Sequence, residues 1–155
     1  VEATVMAHNV VLGIHDMIVH DYGPGRKMLS LHAEVDGKGD IYIIHDEIDI
    51  IENELKEKFG CDAVIHMDPI ETDNEITKGY KDKVVALIKD FHKDATIHDF
   101  RMVPGAGHTN LIFDVALPLE LRGQEKTIQS ALEAALNDLG EGTYYTVITF
   151  DQPTF

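Results

Sequence analysis

Four histidines and one aspartate in the first 70 residues carry the side chains from which transition-metal sites are built: His15, His32, His45, His66 and Asp68. His66 and Asp68 are two apart in the strand-like run Val64-Ile65-His66-Met67-Asp68, so they project to the same face and pair an imidazole nitrogen with a carboxylate oxygen. His32 lies on the polar side of an alternating segment in which Leu29, Leu31, Ala33 and Val35 form the apolar side. His45 follows Ile44 at the edge of a helical apolar stripe, and His15 opens an earlier strand. Four separate elements thus each present an imidazole. Taken alone, each histidine reads as a solvated or locally hydrogen-bonded residue; together they read as a site.

The elements that must position these residues occur twice. Ile14-His15-Asp16 returns as Ile97-His98-Asp99, Leu29 to Val35 aligns with Leu111 to Leu117, and Val64 to Asp68 aligns with Val147 to Asp151. The packing pattern is kept while the donors change, since His32, His45 and His66 become Asp114, Glu125 and Thr149. Six histidines fall in residues 1–70 and three in residues 71–155.

For the first copy the pattern predicts a helix from Glu2 to Leu12, strands Ile14–Asp21 and Met28–Asp36, a helix from Ile41 to Phe59 and a strand Asp62–Asp68 ended by Pro69. Tyr22-Gly23-Pro24-Gly25 punctuates the strand pair as a hairpin turn. The second copy predicts helices over Asp73–Lys93 and Gly123–Leu139, with strands at Thr96–Val103, Thr109–Leu117 and Thr143–Asp151. Two units follow, 1–70 and 71–155, each an α+β arrangement of an open sheet with its helices on one face.

The formal net charge is -15, with five basic and 14 acidic side chains in residues 1–70 and eight and 14 in the remainder. Such a field repels phosphate backbones and concentrates cations, which argues against nucleic acid as a partner. No stretch approaches the roughly 20 apolar residues of a membrane helix. Without an initiator Met or a signal-peptide pattern, the chain reads as a piece of something longer. The single cysteine, Cys61, reads as a small apolar filler in a reducing compartment. Pro104-Gly105-Ala106-Gly107 has no following helix or basic residues and reads as a turn, not a phosphate loop. His8, His20 and His92 read as exposed, and no nucleophile, base and orienting group are spaced for catalysis, so the reading is a non-enzyme.

Four ordered blocks bring the first unit to a known family. Gly13-Ile14-His15-Asp16, Leu31-His32-Ala33-Glu34-Val35-Asp36, His45 near a helix start, and Ile65-His66-Met67-Asp68-Pro69 together resemble the C-terminal cytoplasmic domain of cation diffusion facilitator (cation efflux) transporters. The resemblance covers residues 1–70 and touches the second unit only as a degenerate copy. It implies a ferredoxin-like, metallochaperone-like αββαβ domain at the cytoplasmic face of the cell membrane, attached to a transmembrane transporter part that lies outside this chain. It further implies a homodimer, with divalent metal at the interface regulating cation/proton exchange, and places the ligands on His15, His32, His45, His66 and Asp68. Imidazoles with one carboxylate suit zinc first, with manganese, iron, cobalt and cadmium also open. The alternative reading is a non-metal module that binds a small molecule or a protein partner.

Overall fold

The computed structural model describes residues 1–151. The chain divides into two compact units, Val1–Ile70 and Glu71–Phe155. In the first, a short helix α1 (Glu2–Met6) leads into strand β1 (Gly13–Asp21), which pairs antiparallel with β2 (Lys27–Asp36). The reversal between them is closed by Tyr22 N–H donating to the Arg26 carbonyl at 2.9 Å, with Gly23 and Gly25 at φ values of 116° and 72° that favour glycine.

Helix α2 (Ile41–Phe59) starts where Asp40 accepts hydrogen bonds from the Tyr42 and Ile43 amides at 2.8 and 3.3 Å. It ends at Gly60 in the left-handed region (φ 65°), whose N–H donates to the Lys56 carbonyl. Ile44, Ile48, Ile51 and Leu55 recur at three- and four-residue steps and are all buried. They pack on Leu29, Leu31, Ala33 and Val35 of β2, together with Val5 of α1, Val11 and Ile65. Strand β3 (Cys61–Ile70) completes the sheet in the order β1-β2-β3, parallel to β2. Both helices of the unit therefore lie on one face of the sheet. The alternate residues Ser30, His32 and Glu34 of β2 and Val64, His66 and Asp68 of β3 project from the other face.

The second unit repeats this order with α3 (Asn74–Lys89), β4 (Thr96–Val103), β5 (Thr109–Ala116), α4 (Glu125–Asp138) and β6 (Tyr144–Phe150), the sheet running β4-β5-β6. Val84 and Ile88 of α3 and Leu132 and Leu136 of α4 pack against Leu111, Phe113 and Val115 of β5. The α+β class and the tandem ferredoxin-like arrangement expected from the sequence are both present.

Several boundaries differ from the sequence expectation. Pro69 does not end β3, which continues through it to Ile70; β3 is an edge strand, where the missing proline N–H removes no ladder bond. Helix α1 stops at Met6, and the chain instead turns through His8 N–H to Val5 O and Val11 N–H to His8 O, which lets Val11 enter the core. Helix α3 stops at Lys89, whose ammonium donates to the Lys93 and Ala95 carbonyls. His20 is exposed, but His8 is half-buried between Glu47 and Glu54, and His92 pairs with Glu120. The acceptors that hold these two rings sit on distant parts of the chain. Cys61 is buried and free.

Candidate metal centre

Strand register assembles the site. The antiparallel pairing of β1 with β2 sets His15 opposite His32, and the parallel pairing of β2 with β3 sets His32 beside His66. Three imidazoles therefore form a row across the sheet on its helix-free face, with ring centroids 4.7 Å apart at each step. A second row follows one step along, Gly13 beside Glu34 beside Asp68.

Asp68 is the point where the donors converge. Its Oδ2 lies 3.0 Å from His15 Nε2 and 2.9 Å from His32 Nδ1, while its Oδ1 lies 3.1 Å from His66 Nε2. The other nitrogen of His15, Nδ1, is 3.0 Å from Glu34 Oε2. Exposure is graded along the row, with side-chain values of 8% for His15, 36% for His32 and 66% for His66.

The electrostatics follow from two buried carboxylates flanking one ring. Burial pulls the His15 imidazolium down, but hydrogen bonds and charge from Asp68 and Glu34 outweigh it and raise its pKa to about 9. Burial pushes Asp68 up, yet its bonds to His15 and His32 prevail and hold it below the ordinary aspartate value.

A β-bulge shapes the β1 end of the row. The register skips between His15 and Ile18, so Asp16 and Met17 share the place opposite Leu31, and Asp16 takes a left-handed φ of 50°. Asp16 thereby joins His15 and His32 as one group of potential metal donors; His32, His66 and Asp68 form a second, the donor atoms of each group lying within 4.8 Å of one another. Two imidazoles with a carboxylate oxygen at that spacing are a donor set that a divalent transition metal fits.

Four of the five residues singled out in the sequence thus meet: His15, His32, His66 and Asp68. His45 does not join them. It projects from α2, 62% exposed, with its Nδ1 3.7 Å from Asp49, and α2 covers the opposite face of the sheet. Asp16 and Glu34 were missed, though each left a signal: Asp16 belongs to the repeated Ile-His-Asp, and Glu34 is two residues from His32 on the same face.

The second unit keeps the frame. Its register skips at the same place, between His98 and Arg101, with Asp99 at φ 51°. The corresponding row is His98, Asp114 and Thr149. Burial raises the Asp114 pKa, and the charges of Asp99 and Asp151 add to the rise against the opposing Arg101. His98 Nε2 shares a hydrogen bond with Thr96 Oγ1 at 3.2 Å instead of a carboxylate.

An αββαβ unit with imidazoles gathered round a buried carboxylate is a ferredoxin-like domain bearing metal-type donors. Residues 1–70 match the family model of the cation efflux protein, cytoplasmic domain. No curated protein matches the chain. Among the described residues, no helix is long and apolar enough to cross a membrane.

Proposed function

We propose that residues 1–70 are the metal-sensing, dimerising cytoplasmic domain of a divalent-cation efflux transporter, working at the cytoplasmic face of the membrane as a regulator and not as an enzyme. His15, His32, His66 and Asp68 are the central ligands. His45, exposed on α2, serves a metal that donors from a second copy approach, as binding at a dimer interface requires. The observation that carries this reading is the convergence of three imidazoles on Asp68. Splayed histidines would have favoured the small-molecule or protein-interaction module; these rings lie side by side in a row, tilted and 4.7 Å apart at each step. Zinc is the first choice of metal, because it accepts mixed imidazole and carboxylate ligands in a compact, low-coordinate site.

Residues 71–155 are a degenerate second unit that keeps the scaffold and replaces two of the three imidazoles of the row with oxygen donors.

Calorimetric titration of the metal-free chain with Zn²⁺ tests the reading. Binding well below millimolar that His66→Ala weakens is the expected result. Binding no tighter than millimolar, with His66→Ala indistinguishable from the parent, would sink it.

A further inference from the structure

We infer that Glu34 is the positioning residue of this centre: it holds His15 by Nδ1, so that Nε2 is the nitrogen presented to the metal. This rests on the reading of the site given above.

Glu34 is 1% exposed, on the same strand face as His32, and its Oε2 lies 3.0 Å from His15 Nδ1 while His15 Nε2 faces Asp68. An ionised carboxylate only accepts, so Glu34 holds a proton on Nδ1, and the proton that Nε2 shares with Asp68 is the one a metal displaces to reach the Nε2 lone pair. That is the arrangement by which an outer carboxylate fixes the tautomer and orientation of a ligating imidazole. Gly13 makes room for it. A Cβ at Gly13 would lie 3.0–3.1 Å from both carboxylate oxygens and their carbon, so the Glu34 headgroup rests on a bare Cα.

The second unit supplies the contrast. In the same register the Gly13–Glu34 pair becomes Thr96–Ala116, and there the row no longer holds three imidazoles. The positioning pair is lost together with two of the three imidazoles, although His98, the fold and the bulge are kept.

Zinc affinity of the full chain, measured by competition with a chelating dye, tests this with the parent, Glu34→Gln, His15→Ala and the double variant. Glu34→Gln should bind roughly 10–100-fold more weakly. In the His15→Ala background the same change should alter affinity by less than about threefold, because a residue acting through His15 has nothing left to act on. Long-range proton–nitrogen NMR of the zinc-loaded parent should show metal on His15 Nε2 and a proton on Nδ1. If Glu34→Gln does not fold, Gly13→Ala replaces it, with a smaller loss that again vanishes in the His15→Ala background. Parental affinity in the variant that folds, an equal loss without His15, or metal on Nδ1 overturns the inference while leaving the metal site standing. A parent that takes up no zinc removes both.

Discussion

The strongest test of the site lies in the pH range where an ordinary histidine would already be silent. In the metal-free protein His15 sits between Asp68 and Glu34, which raise its pKa to about 9 against the pull of burial. Its Nε2 can become a ligand only by losing that proton, so below pH 9 each unit of pH lowers metal affinity about tenfold, or about 1.4 kcal/mol, for the one proton displaced. Moving from pH 8.5 to 7.0 should therefore weaken zinc binding roughly 30-fold through His15 alone. An imidazole near its unperturbed value of about 6.5 would give almost no change over that window. The assay is zinc competition at fixed ionic strength across pH 7.0–8.5. Calorimetry at pH 7.5 in buffers of different ionisation enthalpy gives the protons released. About one proton per metal from His15 is expected. Affinity constant within about twofold, with no proton released at pH 7.5–8.5, would refute the placement of His15 between two carboxylates and its role as a ligand.

The same shift makes a prediction for the metal-free chain with the opposite sense. Because the folded pKa of His15 is raised, its contribution is fully present below about pH 6.5 and is lost as pH rises through about 9. The difference is on the order of 3 kcal/mol, so thermal melts of the first unit should fall between pH 7 and 9.5 without zinc and hold with it. Asp68→Asn keeps the shape but removes the charge on which three imidazoles converge; zinc affinity should drop by more than the roughly 10–100-fold typical of an outer partner, measured by the same competition. His98→Ala or Asp114→Ala should change zinc uptake less than His66→Ala, and a larger effect in calorimetry would place the metal in the wrong unit. Asp40→Ala removes the N-cap of α2 and should destabilise the first unit by about 1 kcal/mol in urea unfolding, with zinc stoichiometry unchanged.

Local patterns carried much of the fold. Leu29, Leu31, Ala33 and Val35 alternate with Ser30, His32 and Glu34, and the Ile44–Leu55 stripe identifies the helix that must cover the apolar set. That pattern alone assigns His32 to the helix-free face. The meeting of His15, His32 and His66 depends on two strand registers, and a register joins residues that are distant in the chain, so no spacing within a segment displays it. His45 shows the converse. One residue past Ile44 is a helical step of about 100° away from the buried stripe, and its helix lies on the far side of the sheet from the row. The bulge at Asp16 was hidden in one copy but marked by repetition, since Asp99 adopts the same left-handed conformation in the second.

Two copies of one frame with different donors separate what the scaffold decides from what the side chains decide. In both units the bulge and the paired registers define a row of three positions across the sheet. In the first, the row is three imidazoles with a carboxylate across them; in the second it is an imidazole, a carboxylate and a hydroxyl. The gradient of exposure along the first row adds a functional constraint. His15 is locked at the buried end between Glu34 and Asp68, while His66 stands at the open edge strand. A structural metal site closes its ligands inside the fold, whereas a site that must report changing metal supply needs one end organised in advance and the other open to exchange. Under the sensing role proposed above, the row would meet both demands with a single carboxylate, Asp68, that touches the buried ring and the exposed one together.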